Sequence, residues 1–576
     1  MKRFGTVFAA SLLALIVVGC SGDKDSSPDE ATASALKSSA GNALLEYIPA
    51  DTPYFFGTLA PMDDDIIAAM REMNEDVLKS YGDVMKSALN DARSDSDEAD
   101  EFADSVGPVL EKLASYFEDG KLDELGIGDD VTGGFYGVGL LPVLRIRLDD
   151  TAQFEKGVAE LETSAGQEMA SASIKGVDYR YAGDDEAKLI IANESDFAVV
   201  TFLPGGASDD ALASILGIDK PANSLGDTDR VTSLSANHGM LPQGLGFIDL
   251  TAIAETFLTE QQGVNAELMA IGGYDPSSIS DVCKTEIRAM SQVMPQIDMG
   301  YTRIETKRFD LLTVVNLRND IATSMQGLTA AVPGLGGAME GLFSFGVSMN
   351  IPAIRDFISE RAAALDENPF ECEFFFDLQD SVAQMDEAAN QPLPPVADSL
   401  RGFKLIVDKL ENLDLAGGTP PDVAGRALIS IDDAPSLLMM GQMFLPQLSQ
   451  LQLEPNGEAV ELPPGLIPMS TDPAFVALTD SAIALGLGAD AGDGLAALFE
   501  APVANAQPML SVSYDMGEYM ALMGSVVDQA TADSTEPGQV AVADMFESMQ
   551  EYMDRTWLDI TVTEKGIEMP YAVTLK

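Results

Sequence analysis

The sequence predicts an α+β protein made of two tandem related halves, each a curved, mostly antiparallel sheet with helices packed on one face. Apolar residues alternate with period two in residues 143–148, which is typical of a strand, and helical spacing follows in residues 154–161. A length of 576 residues allows roughly four domains or two large ones. The hydrophobic fraction of 46% and the mean hydropathy of +0.08 indicate a large buried core, not a disordered chain.

The prediction of two halves depends on five short patterns that recur in the same order, at offsets between 258 and 289 residues. The matched segments are 56–59 with 345–348, 147–150 with 430–433, 193–198 with 479–484, 248–250 with 514–516, and 309–317 with 567–575. We therefore expect a first repeat over residues 46–325 and a second over residues 338–576. The Gly/Pro-rich residues 326–337 between them are interpreted as a hinge.

Neighbouring Asp residues recur where a predicted strand leads into a predicted helix, as in Asp149-Asp150 and Asp432-Asp433. A carboxylate at a helix start accepts hydrogen bonds from free backbone N–H groups and complements the helix dipole. Paired acids could also act as general acid and base, as in a glycosidase. Helix capping is the favoured interpretation, because the pairs occupy the same kind of position in both halves.

The N-terminus indicates export. Residues 1–19 begin with two basic residues and continue as a short apolar run, which predicts a secretory signal peptide. Residues 17–20, Val-Val-Gly-Cys, resemble the lipobox of bacterial lipoproteins, and this resemblance implies cleavage before Cys20 and lipidation of its sulfur. An ordinary signal that happens to end near a cysteine is the alternative. Residues 20–45 then form the lipidated Cys20 and a flexible tether. By the same resemblance, Ser21 after the cysteine implies the outer membrane of a Gram-negative bacterium, where an Asp would imply retention in the inner membrane.

Two further cysteines, Cys283 and Cys372, remain in the exported chain. In the oxidising periplasm two such thiols most simply form one disulfide. Two buried free thiols are the alternative, because the sequence does not show that the two residues approach each other.

The charge excludes some partners. The formal net charge is -60, and it becomes -62 when residues 1–19 are removed with their two basic side chains. A field of this sign repels phosphate backbones and anionic headgroups, so nucleic-acid binding is excluded. The acidic segment 91–104 lacks the spacing of a calcium loop, and a solvated acidic surface is favoured there.

The sequence offers little catalytic or cofactor chemistry. It has one histidine, His238, in a small polar stretch that predicts a solvated or structural role, and it lacks a Gly-x-Ser-x-Gly motif. Residues 486–491 resemble a dinucleotide fingerprint, but a glycine turn is favoured and no cofactor is expected. Methionine-rich stretches at 439–443 and 545–553 are interpreted as core packing, with binding of Cu(I) or apolar partners as the alternatives.

Residues 44–54, Leu-Leu-Glu-Tyr-Ile-Pro-Ala-Asp-Thr-Pro-Tyr, resemble the opening of a family of exported bacterial proteins of unknown function. This resemblance implies no catalytic residues. We therefore expect a lipid-anchored periplasmic protein that binds an apolar ligand or an envelope protein and is not an enzyme. A periplasmic hydrolase that uses only carboxylates is the alternative, because it would need no histidine.

Overall fold

The computed structural model describes most of the chain beyond the predicted signal and tether. The described residues are 43–63, 65–68, 112, 116, 121–128, 131–165, 169–411, 421–444, 447, 448, 451, 453–464, 466, 472–531, 550 and 552–576. They divide into two compact units. The first contains the described residues up to Ser280 together with Pro295–Leu312, and the second contains Asp281–Met294 and most of the described residues from Thr313 onward.

The first unit is built on an antiparallel sheet. Its strands are β1 (Tyr54–Thr58), β2 (Gly133–Val138), β3 (Leu141–Arg147), β4 (Ala170–Ile174), β5 (Val177–Gly183), β6 (Ala187–Glu194), β7 (Phe197–Pro204), β8 (Leu245–Asp249), β9 (Gln296–Glu305) and β10 (Arg308–Asn316), the last of which ends in the second unit. Its helices are α1 (Thr151–Ala165), α2 (Asp209–Ile215), α3 (Arg230–His238), α4 (Leu250–Leu258) and α5 (Gly263–Ile271). The hydrogen-bonded order is β4-β5-β6-β7-β3-β2-β1-β8-β9-β10.

The second unit also has an antiparallel sheet. Its strands are β11 (Phe343–Ser348), β12 (Leu400–Glu411), β13 (Asp422–Ile431), β14 (Val460–Glu461), β15 (Ala474–Leu478), β16 (Ala482–Leu487), β17 (Pro508–Asp515), β18 (Met553–Val562) and β19 (Gly566–Leu575). Its helices are α6 (Asp281–Ser291), α7 (Asn319–Gln326), α8 (Ile351–Glu367), α9 (Phe376–Ala389), α10 (Pro395–Asp398), α11 (Ala434–Phe444), α12 (Leu495–Glu500) and α13 (Met516–Thr531). The order is β14-β15-β16-β13-β12-β11-β17-β18-β19.

The two strand orders can be aligned. The run β6-β7-β3-β2-β1-β8-β9-β10 of the first sheet has the same chain order as β15-β16-β13-β12-β11-β17-β18-β19 of the second. This agreement is what a duplication would produce. The origin of the two halves from one ancestral unit stays a prediction.

The α+β class and the mostly antiparallel sheet are confirmed, but helices pack on both faces of the first sheet. Ile146 of β3 packs in the cluster formed with Phe154 and Val158 of α1. The preceding residue, Arg145, points to the opposite face and donates to the carbonyl oxygen of Leu216, directly after α2. A sheet with apolar residues on both faces needs cover on both, so helices on one face could not have buried it.

Arg145 is among the largest fully buried side chains of the described residues. Its Nη1 lies 3.3 Å from Glu194 Oε2, and its Nη2 donates to the carbonyl oxygen of Leu216 at 2.6 Å. The guanidinium also lies 4.1 Å from the ring centroid of Tyr47. A buried charge is costly unless it is paired and hydrogen-bonded, and these contacts meet both conditions.

The folded part begins earlier than the sequence predicts. Leu44 and Leu45 fall in the predicted tether of residues 20–45, yet both are buried in the first unit. Their large apolar side chains explain the difference, because burying them stabilises the fold more than leaving them in a solvated linker. The signal peptide and Cys20 lie outside the described residues.

Candidate functional site

One face of the second sheet presents large apolar side chains in register across seven strands, β19-β18-β17-β11-β12-β13-β16. We call it the apolar face. Its central row is Tyr571, Leu558, Val512, Phe345, Leu405, Ala427 and Leu485. The flanking rows are Val573, Thr556, Tyr514, Phe343, Val407, Gly425 and Leu487 on one side, and Ile560, Leu510, Val347, Phe403, Ile429 and Ile483 on the other.

The central row is accessible at three well-separated strands. Leu405 of β12 is 40% exposed, Leu485 of β16 is 39% exposed and Tyr571 of β19 is 37% exposed. Phe345 and Val512 between them are half-buried. No side chain in the three rows is charged. Exposed apolar side chains in an uncharged row are a candidate binding surface.

Aromatic side chains give this face a fixed shape. The rings of Phe343 and Tyr514 stack across β11 and β17 with centroids 5.7 Å apart. Phe345 lies 5.7 Å from Phe403 on β12. Burial raises the pKa of the Tyr514 and Tyr571 phenols above their usual value. The surroundings of these hydroxyl groups are therefore apolar enough to disfavour their charged form.

Around β11 and β17, the opposite face of the same sheet is buried but carries small and polar residues. Ser344 and Ser348 of β11, Ser511 and Ser513 of β17, and Lys404 of β12 are all buried. On the same face, Ile406 of β12 and Leu428 of β13 pack with Leu495 and Leu498 of α12 in a buried cluster. One end of the apolar face also contributes to the core, since Ile483 and Leu487 pack with Leu437 and Leu438 of α11. Leu405, Leu485 and Tyr571 are nevertheless left exposed.

Residues 328–342, which we call the covering segment, bury that small-residue face. Val332 and Leu335 are buried in the segment, and Gly334 O accepts a 2.9 Å hydrogen bond from Lys404 Nζ. A side chain on Gly346 of β11 would lie 2.5 Å from Leu335 Cδ1, so the close approach requires glycine there. The expected hinge at 326–337 is thus largely a packed segment, because its apolar side chains find partners on the sheet.

The ammonium group of Lys404 is buried, and few interactions compensate for the hydration that it loses. Its Nζ donates to the carbonyl oxygen of Gly334. Burial lowers the pKa of the Lys404 ammonium, and the nearby carboxylate of Glu340 offsets part of this effect. A buried lysine is costly because its charged form loses hydration.

The paired acids act as helix caps. Asp150 Oδ1 accepts from the backbone N–H groups of Ala152 and Gln153, both at 2.9 Å, at the start of α1. Asp433 Oδ1 accepts from the N–H of Ser436 at 3.1 Å, at the start of α11. The capping interpretation is confirmed at these two positions.

His238 ends α3 and is not in a solvated turn. Its side chain is 4% exposed, and Nε2 lies 3.2 Å from Asp298 Oδ2 on β9. Gln296 Nε2 donates to the other oxygen of Asp298 at 2.5 Å. The prediction of a solvated or structural histidine is met by its structural alternative. Asp298 lies 60 residues further along the chain, so this pairing could not be predicted from the sequence.

The first unit contains a cavity of about 460 Å³ between α1 and strands β4, β5 and β6. Glu155, Asp178 and Arg180 are among the residues that line it. Arg180 Nη1 lies 2.5 Å from Glu162 Oε2, and its Nη2 lies 3.9 Å from Glu155 Oε2. Two of the nearby carboxylates are therefore held by one guanidinium, which does not resemble the separate acid and base of a glycosidase.

Cys283 of α6 and Cys372 are joined by a disulfide, with Cα atoms 4.8 Å apart. Glu286 of α6 supports the same junction, since its carboxylate accepts from the backbone N–H groups of Glu371 and Cys372 at 2.9 and 3.1 Å. Helix α6 is thus fastened to the segment that leads into α9.

The prediction that the methionines of residues 439–443 pack in the core is wrong for two residues of α11. Met439 and Met443 are exposed, whereas Leu437 and Leu438 pack against the buried cluster around Ile483. The sequence did not distinguish the two sides of this helix, because apolar residues occupy most of its positions. The acidic segment 91–104 lies outside the described residues, as do Met545 and Met549.

Residues 486–491 form the end of β16 and a turn. β16 pairs antiparallel with both β13 and β15, whereas a dinucleotide fingerprint belongs to a parallel strand-helix-strand unit. The glycine-turn interpretation is therefore confirmed.

The described part of the chain contains no group of three or more His, Cys, Asp or Glu residues that could hold a metal ion. None of its helices is both long enough and apolar enough to cross a membrane.

Comparison with protein families, curated proteins and solved structures finds no match. The resemblance of residues 44–54 to an exported family stays a prediction.

Proposed function

We propose that this chain is a lipid-anchored, non-enzymatic protein on the periplasmic side of the outer membrane, and that its second unit binds lipid acyl chains. The observation that supports the ligand is the apolar face. Its three uncharged rows cross six or seven strands, and the central row is exposed at Leu405, Leu485 and Tyr571. The support for the anchor is the resemblance of residues 17–20 to a lipobox.

The dimensions of the apolar face suit a hydrocarbon chain. At roughly 4.8 Å between neighbouring strands, a row across seven strands is about 29 Å long. One leaflet of a bilayer contributes about half of a 30 Å hydrocarbon core, so an acyl chain of roughly 15 Å fits within a row. Van der Waals contact with such a chain requires no hydrogen-bonding partner on the protein.

The composition of the face favours an acyl chain over a protein partner. Protein interfaces carry about one hydrogen bond per 100–200 Å², supplied by polar groups at and around the contact. In the three rows, polar side chains are limited to Thr556, Tyr514 and Tyr571. The net charge of -60 further disfavours anionic headgroups and favours neutral or zwitterionic lipids.

The hydrolase alternative has less support. Beside the described cavity in the first unit, the Glu162 carboxylate is paired with the Arg180 guanidinium at 2.5 Å, and the Glu155 carboxylate lies 3.9 Å from the same group. His238 is paired with Asp298 in the interior of the protein. We therefore do not assign a reaction.

Native mass spectrometry of the chain from residue 21 onward, purified from bacteria without detergent, tests lipid binding. We expect a co-purifying neutral or zwitterionic lipid, and we expect its loss from a Leu405→Asn, Leu485→Asn double variant. Val503→Asn is the matched control, because Val503 is an exposed apolar residue outside the apolar face. Equal lipid content in the double variant would contradict the assignment.

The anchor has a separate test. Cys20→Ser should abolish incorporation of labelled palmitate into the full chain and leave the signal unprocessed, because lipidation of that sulfur precedes cleavage in lipoproteins. Equal labelling of the variant would refute the anchor without affecting the assignment of the apolar face.

A further inference from the structure

The first sheet ends at β4, and the outer edge of this strand is open. In the described part of the chain β4 pairs with β5 alone, and Ala170, Ser171 and Ser173 are exposed. Natural proteins protect edge strands with charged residues, prolines or bulges. The five residues of β4 include neither a charged residue nor a proline, and their register with β5 is continuous. The strand is therefore available to pair with another one.

The turn after β4 determines which of its backbone groups point outward. Lys175 and Gly176 have φ angles of 48° and 89°, as in the two-residue type I′ turn of a β-hairpin. Such a turn joins Ile174 to β5 by hydrogen bonds, and inward and outward groups then alternate along the strand. The N–H and C=O groups of Ser171 and Ser173 therefore point away from β5, where an added strand can bond to them.

The cavity of about 460 Å³ in the first unit lies beside the same edge. Ser171 and Ser173 line it from β4. Their register partners on β5, Arg180 and Asp178, line it as well. Residues opposite each other share one face of a sheet, and this face is the one towards α1, because Arg180 contacts Glu162 of that helix. Alternate side chains of an added strand point to the same face, at the mouth of the cavity.

Carboxylates dominate the charge around the cavity. Glu155 and Asp178 line it together with Arg180, whose Nη1 already lies 2.5 Å from Glu162 Oε2. The other oxygen of Glu162 is buried and has no hydrogen-bond partner among the described residues. One guanidinium thus lies among three carboxylates, and an acceptor is left without a donor. A Lys or Arg side chain supplies both the missing charge and the missing donors.

A second copy of this chain does not meet these requirements. Two β4 strands paired about a twofold axis would present only Ala, Ser and Ile side chains to each other. Neither cavity would then receive the cationic group that its carboxylates favour. A small cationic molecule would neutralise the carboxylates but would leave the outward backbone groups of β4 unused. A strand that carries a basic side chain satisfies both features together.

We infer that β4 binds an extended segment of another protein by strand addition, and that a Lys or Arg side chain of this segment enters the cavity. Backbone hydrogen bonds to Ser171 and Ser173 supply affinity, and the cavity selects the side chain. The site belongs to the first unit and is separate from the apolar face of the second.

The test uses a labelled peptide of about seven residues in which Lys alternates with Thr, a residue that favours strands. Its control is the same peptide with N-methylated lysine residues, which keeps every charge but removes the N–H groups on the lysine side. Fluorescence anisotropy measures binding to the full chain in phosphatidylcholine nanodiscs, with empty nanodiscs as the blank. We expect the unmethylated peptide to bind at least about tenfold more tightly. It alone should slow hydrogen exchange at Ser171 and Ser173.

Variants separate the backbone and ionic contributions. Ser171→Pro removes an outward N–H group, which an edge strand tolerates, and should weaken binding about tenfold or more. Ser171→Thr keeps that group and should bind as the unaltered chain does. Glu155→Gln with Asp178→Asn should abolish the preference for the Lys peptide over one with Gln in place of Lys. The three substituted side chains are exposed, so circular dichroism should be unchanged.

Several results would overturn the inference. Equal affinity for the methylated and unmethylated peptides would show attraction by net charge alone. Equal affinity of the unaltered chain for the Lys and Gln peptides would remove the role of the cavity. Binding by Ser171→Pro as tight as by Ser171→Thr would place the peptide elsewhere. A dimer in analytical ultracentrifugation that is lost in Ser171→Pro would assign the edge to a second copy. None of these results depends on whether the apolar face binds lipid.

Discussion

The buried faces of the two sheets contain opposite kinds of residue at matching places. In the first unit Phe55 of β1 pairs with Phe247 of β8, both side chains are fully buried, and their rings lie 6.2 Å apart. In the second unit the corresponding pair on β11 and β17 is Ser344 and Ser513, which are also fully buried.

The difference shows where each unit keeps its large apolar residues. The first sheet uses aromatic rings to fill its interior, and burial of each ring contributes to stability. The second sheet accepts the covering segment at close range over glycine and serine, and the phenylalanines of β11 and β12 lie on the apolar face. The second unit therefore gives up part of the core that the first unit has, and it gains an accessible apolar surface.

The largest difference in the free energy of unfolding is expected between substitutions at the two matched pairs. Phe55→Ala should lower the free energy of unfolding by about 3–5 kcal/mol, because it leaves a cavity in a packed interior. Ser344→Ala should lower it by at most about 1.5 kcal/mol, since it removes one hydrogen bond to the carbonyl oxygen of Glu340. Urea unfolding of each variant, followed by hydrogen exchange in β1 and β11, measures both. Equal losses would contradict the comparison.

The disulfide should stabilise the second unit selectively. It joins Cys283 and Cys372, 89 residues apart, and both belong to that unit. Its removal in a Cys283→Ser, Cys372→Ser double variant should lower the stability of the second unit by about 2–4 kcal/mol, because the unfolded chain regains conformational freedom. Differential scanning calorimetry, with hydrogen exchange to assign the transitions, should show the first unit unchanged. An equal shift in both units would show that they unfold as one.

A smaller effect is expected from the buried lysine. Because burial lowers the pKa of Lys404 below its usual value of 10.5, the unfolded chain binds more protons than the folded chain between the folded pKa and 10.5. The free energy of unfolding contributed by this group therefore rises with pH in that window. Lys404→Met should remove the rise, seen as the difference between the unfolding curves of the two proteins. Parallel pH profiles would show that Lys404 is solvated.

Particular residues show how far the sequence could predict this fold. The strand and helix alternation gave the α+β class, and Asp150 and Asp433 cap helices as expected, because capping is local chemistry. The alternation Phe343-Ser344-Phe345-Gly346 was equally visible. It could not reveal that the serine side is the buried one, since that depends on the distant covering segment.

Other features depended on contacts that are distant in sequence. Gly and Pro in residues 326–337 suggested a hinge, yet Val332 and Leu335 find a packing surface on β11 and its neighbours. The partner of His238 likewise became visible only when β9 was placed beside α3.

The accessible apolar face is the central claim, and equilibrium binding of a zwitterionic lysophosphatidylcholine with a fluorophore in its acyl chain tests it most directly. The chain from residue 21 onward is titrated at low and high salt, with and without a chelator, alongside the Leu405→Asn, Leu485→Asn variant and the Val503→Asn control. We expect binding by the unaltered chain that persists or strengthens with salt, ignores the chelator and falls at least about tenfold in the double variant. The substitutions should cost little stability, because both leucines are already 40% and 39% exposed. Undiminished binding by the double variant, or loss of binding in chelator alone, would contradict the account.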